Sequence, residues 1–327
     1  MKKLLAVLVV LTIAASMAFA GGGNQRTQTR SGDGNVVIGF AQCKADESDW
    51  RIANTFSMMN AFNKPGYRLI IADSNNDAAK QVADVQAFID MEVDYILIAA
   101  VNEDGWDTVL RNAQRAGIPV ILVDRTMKVD PSLYLCWIGG DFYGEGVKAT
   151  DWMVKHFSSR EVNVVHLQGQ LGAGAQVGRS RALADGIAKH SNWNLLAQQT
   201  GNWGTDTAKQ VMTSWIQQFG SRINCVYAEN DNMALGAIQA LQEAGIAVGG
   251  ANGVAIISFD ANRPYLQMTL QGLINCNVEC NPLHGPRVFE IVEAHRRGVM
   301  PAKEESPIEE AFYWDTITQA IIDARQY

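Results

Sequence analysis

From Val36 onward the sequence alternates short apolar runs with longer amphipathic stretches, and no other feature limits the possible fold as strongly. Short apolar runs bounded by turn residues indicate buried strands, whereas the longer stretches have the apolar spacing of amphipathic helices. Strands that alternate with helices predict parallel sheets covered by helices. We predict strands at residues 36–41, 68–72, 95–100, 120–123, 133–138, 162–167, 195–199, 223–227, 254–259 and 274–278.

The helical stretches fit between these strands and divide them into two series. The predicted helices are residues 79–90, 104–115, 146–156, 175–190, 207–219, 232–244 and 283–297. At 327 residues the chain is long enough for two domains, so we predict two doubly wound α/β lobes with a boundary near Gly139-Gly140-Asp141. The remaining C-terminal part, with a further run at 309–314, exceeds what the second lobe needs. We therefore expect the chain to cross back between the lobes.

The first 20 residues have the features of a cleaved export signal. Lys2-Lys3 precedes an apolar run at residues 4–15, and Ala18-Phe19-Ala20 resembles a cleavage site. The run is short for a membrane span, although an N-terminal anchor is the alternative. Residues 21–34 are polar and rich in Gly, which predicts a flexible linker, and no Cys follows Ala20 to carry a lipid. We expect an exported, periplasmic product.

Charge and cysteine content exclude several classes of function. The net charge of −7 and the pI near 5.3 argue against nucleic acid as a partner. Five scattered cysteines are too few for a disulfide framework, and at least one must be unpaired within the chain. Cys276, Cys280 and His284 have a spacing that resembles a metal site, but they straddle a strand and a Pro and would not share a helix face. We expect neither a metal nor another cofactor.

The pair Asp124-Arg125 marks the end of the apolar run at residues 119–123. In open parallel sheets, ligands bind beyond the carboxyl ends of the strands. A carboxylate accepts hydrogen bonds from neighbouring hydroxyls and a guanidinium donates through a fixed fork, so the pair suits a polyhydroxylated ligand. The alternative is a solvent-exposed turn pair.

Similar side chains follow most of the other predicted strands. They are Glu47, Trp50 and Arg51 in the first lobe, and Arg179, Trp203, Asn230, Asp260 and Glu279 in the second. Carboxylates, guanidiniums, an amide and indoles together are typical of a sugar site. Each also has a structural interpretation. The indoles would suit a core, the amide a helix cap, the guanidinium a solvated helix face, and the carboxylates a turn.

The order and spacing of these segments resemble a known family. The segments are Glu47-Ser-Asp-Trp-Arg51, Gly105-Trp106, Asp124-Arg125, Gln168-Gly169 leading to Arg179, and Tyr227-Ala-Glu-Asn-Asp231. They resemble periplasmic sugar-binding proteins of the ribose and galactose type, the receptors of ABC importers, and most of all galactofuranose-binding proteins. The resemblance covers residues 36–327. It implies a type I fold with a three-crossover hinge, one lobe from residues 35–140 plus 281–312, and the other from residues 141–280 plus 313–327.

The resemblance also implies roles. Glu47, Trp50, Arg51, Asp124 and Arg125 would line one wall of a cleft, and Arg179, Trp203, Asn230, Asp260 and Glu279 the other. It implies a monomeric binding protein, not an enzyme, that closes around a monosaccharide such as galactofuranose and delivers it to a membrane permease. A chemoreceptor or sensor is a possible further partner. The chain departs from the family pattern in two places: the loop at 42–47 is one residue longer, and Ala261 stands where Gly often follows the Asp.

Three other classes remain as alternatives. A dehydrogenase would need a Gly-x-Gly-x-x-Gly loop, but Gly169, Gly172 and Gly174 have a different spacing. A sugar hydrolase would need two carboxylates, such as Asp124 and Asp260, but the adjacent arginines favour ionised acceptors over a protonated acid. A sugar-responsive transcription regulator would need a DNA-binding head where this chain has an export signal.

Overall fold

Twelve strands and ten helices make up residues 34–327, the part of the chain that this computed structural model describes. The strands are β1 (Val36–Gln42), β2 (Tyr67–Asp73), β3 (Tyr95–Ile98), β4 (Val120–Val123), β5 (Cys136–Ile138), β6 (Val162–Gln168), β7 (Trp193–Thr200), β8 (Cys225–Ala228), β9 (Ala255–Asp260), β10 (Cys276–Glu279), β11 (Glu304–Glu305) and β12 (Ala311–Tyr313). The helices are α1 (Asp49–Phe62), α2 (Ala78–Asp90), α3 (Asp107–Arg115), α4 (Phe142–Phe157), α5 (Gly174–Lys189), α6 (Thr205–Phe219), α7 (Asp231–Glu243), α8 (Arg263–Leu270), α9 (Gly285–Arg296) and α10 (Gln319–Ala324). The predicted export signal and nearly all of the predicted linker lie outside the described residues.

The strands form two six-stranded sheets, which confirms the predicted pair of doubly wound lobes. The first has the order β11-β5-β4-β3-β1-β2 and is parallel throughout. The second has the order β12-β10-β9-β8-β6-β7, in which β12 alone is antiparallel. The strand order reverses between β1 and β3 and between β6 and β8. These are the switch points at which parallel sheets open a crevice for ligands.

The chain passes between the two sheets three times, as expected for the three-crossover hinge. The first passage (residues 139–141) leads from β5 to α4, and the second (residues 280–284) leads from β10 to α9, which packs on α1. The third passage (residues 306–310) leads from β11 to β12. The sequence placed this last boundary after residue 312, but β12 already pairs with β10 from Ala311 onward.

Each lobe has an apolar core on both faces of its sheet. All residues of β3 and β4 are buried, because central parallel strands are covered by helices on both sides. Separate clusters of buried apolar side chains cover the two faces of each sheet. All five cysteines are buried, and none forms a disulfide. Within residues 34–327 no helix has the length and apolar character needed to cross a membrane.

Helix α1, which the sequence did not predict, carries part of the candidate site. Its first turn is fixed by Ser48, whose hydroxyl accepts a hydrogen bond of 3.2 Å from the backbone N–H of Arg51. The cap therefore begins a helix immediately after the predicted site residue Glu47. Trp50 and Arg51 consequently project from the first turn of a helix and not from a loop.

Candidate functional site

A narrow cavity of about 300 Å³ lies between the two lobes, at the carboxyl ends of their strands. Four residues that the sequence did not predict as site residues also line it: Ser48, Phe142, Ala175 and Cys280. Nine of the ten predicted site residues line it, namely Glu47, Trp50, Arg51, Asp124, Arg125, Arg179, Trp203, Asn230 and Asp260.

The first wall is an ion network of two cations and two carboxylates. Arg51 donates through Nη2 to Asp124 and lies 3.2 Å through Nε from Oε1 of Glu47. Arg125 donates through Nη2 to the same oxygen of Glu47 at 2.5 Å. These side chains are at most 4% exposed, so each charge depends on the others for compensation. The remaining N–H groups and lone pairs of the network are therefore held in fixed positions.

Asp124 takes a backbone conformation that side-chain-bearing residues seldom adopt. Its φ is +64°, and its carbonyl oxygen accepts a hydrogen bond of 2.9 Å from the indole N–H of Trp137. A Cβ at Gly139 would lie only 2.3 Å from that same oxygen, so β5 can end beside Asp124 only with glycine there. The end of β5 therefore holds Asp124, the residue that follows β4, in position.

Trp50 connects the first wall to the hinge. Its indole N–H donates to the carbonyl oxygen of Cys280, in the second passage, at 2.6 Å. The guanidinium carbon of Arg51 lies 4.6 Å from the centre of the indole ring, within reach of a cation–π interaction. The indole nitrogen of Trp50 is therefore already bonded, and the ring is its contribution to the lining of the cavity.

The second wall has one cation, Arg179 of α5. Its Nε donates to Oε2 of Glu145 at 2.7 Å, its Nη1 donates to the carbonyl oxygen of Glu229 at 2.5 Å, and its Nη2 lies 3.6 Å from Oδ1 of Asp260. The guanidinium carbon also lies 4.8 Å from the ring centre of Phe259. Arg179 is thus held from three sides and is not the solvated helix residue of the alternative interpretation.

Asp260 and Trp203 both take positive φ values where they meet the cavity, +102° and +63°. Burial raises the pKa of Asp260 well above its usual value, although the Arg179 cation opposes this rise. The indole N–H of Trp203 is buried and has no hydrogen-bond partner within the described residues. A Cβ at Gly169 would lie 2.0 Å from the Trp203 ring, so glycine leaves the space that the indole occupies.

Asn230 lines the cavity and also caps α7. Its Oδ1 accepts from the backbone N–H of Met233 at 2.9 Å, and its Nδ2 donates to the carbonyl oxygen of Trp203 at 3.1 Å. Asn230 is therefore a helix cap, as the alternative interpretation of the sequence had it, and it also lines the cavity. The second N–H of its amide is left over from these two bonds.

Glu279 does not line the cavity. Its Oε1 accepts hydrogen bonds from Arg325 and from the hydroxyl of Tyr327, and its Oε2 accepts from the backbone N–H of Glu310. These partners belong to the third passage and the C-terminal segment. The sequence predicted Glu279 as a site residue because it lies at the carboxyl end of a strand. Its side chain is instead directed toward the C-terminal segment.

Other segments that the sequence singled out also lie away from the cavity. Trp106 is fully buried in the first-lobe core, where its N–H donates to the carbonyl oxygen of Asn102 at 2.9 Å. Cys276 lies in a core cluster of the second lobe, whereas His284 lies 3.3 Å from Nδ2 of Asn54 in α1. The spacing that resembled a metal site thus spans two lobes.

Glu145 and Asp49 have contacts that sequence reasoning missed. Glu145 is the partner of Arg179, and its place in the first turn of α4 was the only available signal. Asp49 joins the lobes outside the cavity. Its backbone N–H donates to Oδ1 of Asn232 at 3.2 Å, and its Oδ2 accepts from Nδ2 of Asn232 at 3.2 Å and from the hydroxyl of Tyr265 at 2.7 Å.

Comparison with known proteins assigns the family. A periplasmic binding protein domain matches residues 38–283. The chain belongs to the periplasmic binding protein family. It is 35% identical over 306 residues to the galactofuranose-binding protein YtfQ of Escherichia coli K12, covering 92% of this chain and 91% of that protein.

Two solved structures have the same fold as this chain. One is a Mycobacterium smegmatis protein in complex with β-D-fucofuranose, with a TM-score of 0.81, 36% identity, and coverage of 88% of this chain and 93% of that one. The other is the binding protein of the arabinose ABC transporter of Shewanella sp. ANA-3, bound to α- and β-L-arabinofuranose. Its TM-score is 0.83 at 33% identity, with coverage of 89% of this chain and 95% of that one.

Proposed function

We propose that this protein is the exported receptor of an ABC importer, and that it encloses one monosaccharide, galactofuranose or a related furanose, between its lobes. The observation that carries the proposal is the convergence of nine polar and aromatic side chains from both lobes on one cavity. These side chains come from six separate segments of the chain. A structural role alone would not require them to meet.

The chemistry of the cavity suits a small polyol. Arg51, Arg125 and Arg179 donate, and Asp124 and Asp260 accept. The indole of Trp203 supplies a flat face and an N–H that has no partner in the described part of the chain. A ring with several hydroxyls and an apolar C–H face can use all of these groups together. Side chains from both lobes surround this small space, which favours one monosaccharide over a longer saccharide.

Three relatives support a furanose. The names of YtfQ and of the two solved structures mention galactofuranose, fucofuranose and arabinofuranose. Each is at least 33% identical to this chain. We therefore expect this protein to prefer the five-membered ring form of its sugar over the pyranose form.

Binding proceeds by hinged closure. Sugar binds one wall while the lobes are apart, and closure brings the second wall onto it and expels water, which strengthens the hydrogen bonds. The closed lobes then present a joint surface to the permease. An importer receptor is also expected to be exported and monomeric, and the same closed surface is available to a chemoreceptor or sensor.

The decisive experiment is calorimetry of the mature protein against matched furanose and pyranose sugars, with solution scattering before and after saturation. We expect one site per chain, tighter binding of a furanose, and compaction on binding. Unchanged scattering at saturation would refute closure. Binding of no sugar in the panel would refute the receptor assignment.

A second measurement addresses the enzyme alternatives. After long incubation with the protein, the sugar is recovered and analysed by NMR. We expect it intact, because a receptor releases what it binds. Conversion of the sugar would assign a catalytic role to the carboxylates Asp124 and Asp260.

A further inference from the structure

Two buried carboxyl groups meet where the three passages between the lobes come together. Glu145 stands in α4 just after the first passage, Cys280 opens the second, and Glu309 lies in the third. One carboxyl oxygen of Glu145, one of Glu309 and the Sγ atom of Cys280 all lie within 4.8 Å of one another. A Cβ at Gly140 would be 2.5 Å from Oε1 of Glu145 and 3.2 Å from both carboxyl oxygens of Glu309. Both carboxyl groups therefore face the same small space.

The oxygens of Glu145 differ in their contacts. Oε2 accepts from Nε of Arg179 at 2.7 Å, whereas Oε1 is buried and has no hydrogen-bond partner in the described structure. On Glu309, Oε1 accepts from the backbone N–H of Asn281 at 2.8 Å. A proton on the second oxygen of Glu309 would be the donor that Oε1 of Glu145 lacks.

We propose that Glu309 is a positioning residue for sugar binding: its neutral carboxyl group donates to Glu145, which in turn orients the guanidinium of Arg179 toward the cavity. This inference rests on the proposed function. The chain of contacts runs from the third passage through Glu309 and Glu145 to Arg179, and from there to Asp260 at the cavity. The geometry of the second wall therefore depends on a residue outside it.

The surroundings favour a proton over a metal ion in this space. The groups that face Glu309 are Glu145 from α4, Arg179 from α5, and the Cys280 thiol and Asn281 N–H of the second passage. Arg179 already places a positive charge beside Glu145, which repels a second cation. Burial raises the pKa of Glu309 to about 9, and the neighbouring charge of Glu145 adds to this rise. Glu309 is thus neutral at pH 7.

The test compares Glu309→Gln, which keeps a neutral donor, with Glu309→Ala, which removes it. At pH 7 we expect the Gln variant to bind the preferred sugar within about threefold of wild type, and the Ala variant to bind about tenfold more weakly, since one buried hydrogen bond is lost. Equal weakening in both variants would overturn the positioning role. Glu310→Gln, the exposed neighbour, serves as the matched control and should bind as wild type does.

A readout without sugar keeps this test separate from the proposed function. The folded pKa of Glu309 lies above its ordinary value of 4.5, so the stability from its proton is complete below about pH 4.5 and is lost as the pH rises toward 9. Relative to Glu309→Gln, the folding constant of wild type should fall by up to tenfold per pH unit across that window and then level off. Glu310→Gln should follow wild type. Parallel pH profiles for wild type and Glu309→Gln in urea unfolding would refute the shared proton even if the protein binds no sugar.

A chelator distinguishes the proton from a metal. Wild-type protein treated with EDTA and dialysed should keep its sugar affinity and its urea midpoint. Loss of either property after EDTA, with recovery on adding Zn²⁺, would overturn the proposal and assign these three side chains to a cation.

Discussion

The two walls of the cleft use arginine differently. In the first wall, Arg51 and Arg125 share two carboxylates with which they form a network inside one lobe. In the second wall, Arg179 is the one cation beside two carboxylates, Glu145 and Asp260. If one arginine of the first wall is removed, the other therefore still compensates the charge of the two carboxylates in part. The second wall depends on a single guanidinium.

This difference predicts the largest effect at Arg179. Arg179→Met leaves the buried Glu145 without its cation and removes the charged partner of Asp260, so we expect a loss of about 3 kcal/mol in the free energy of unfolding and no measurable sugar binding. Arg125→Met should weaken sugar binding about 100-fold. It should change the free energy of unfolding by less than about 1.5 kcal/mol, because Glu47 still forms its ion pair with Arg51. Urea unfolding and calorimetry measure both quantities.

The control is Arg181→Met on the same helix. Its side chain is 73% exposed, and we expect neither stability nor affinity to change. Equal losses of stability in the Arg179 and Arg125 variants would show that the two walls do not differ in this way.

The two tryptophans of the cleft sharpen the comparison. The N–H of Trp50 is bonded to the hinge carbonyl of Cys280, whereas that of Trp203 has no hydrogen-bond partner among residues 34–327. Trp203→Phe should therefore weaken sugar binding about tenfold, because a donor and part of the stacking face are lost. Trp50→Phe should lower stability more than Trp203→Phe does, because it leaves a buried carbonyl unbonded. If calorimetry and urea unfolding gave the two variants the same profile, the N–H of Trp203 would have no role toward the ligand.

A contact between the walls predicts a smaller effect. Asp49 meets Asn232 and Tyr265 only while the lobes are together. Asp49→Ala removes the two bonds to its carboxylate, from Asn232 and from Tyr265, and these exist in the closed state alone. Closure therefore becomes less favourable, and we expect the dissociation constant to rise about threefold. The free energy of unfolding of each lobe should be unchanged. Asp46→Ala, at an exposed acidic residue in the loop before α1, is the control, and an equal effect there would contradict a latch role for Asp49.

The sequence predicted the fold well because a βαβ chain repeats its pattern. All ten strands predicted within the two lobes are present, with ends shifted by at most a few residues. Helix α1 was missed because its start is set by the cap at Ser48 and its apolar side chains are partly exposed, as for Phe56. The short strand β11 pairs with β5 from a distant part of the chain, and local patterns cannot reveal that.

The site was predictable for a physical reason that also explains its failures. Side chains that follow parallel strands must meet at one sheet edge, and this places Asp124, Asp260 and Asn230. The rule says nothing about the direction of a side chain, so it accepted Glu279, which is directed toward Arg325 and Tyr327. It also missed Glu145, because that residue acts through Arg179 and not at a strand end.

The smallest expected effect concerns Ala261, one of the two departures from the family pattern. Both walls present a carboxylate from a strand-end residue at positive φ, but only Asp260 is followed by a second such residue, Ala261 at +56°. Ala261→Gly relieves about 1 kcal/mol of backbone strain and loses about 0.8 kcal/mol of methyl burial, so the two terms nearly cancel. Affinity should stay within twofold of wild type in calorimetry, because the methyl group of Ala261 packs beside Leu266 and Phe312 and not in the cavity. A change of fivefold or more, or a change in the preferred sugar, would mean that this position shapes the second wall through the backbone of Asp260.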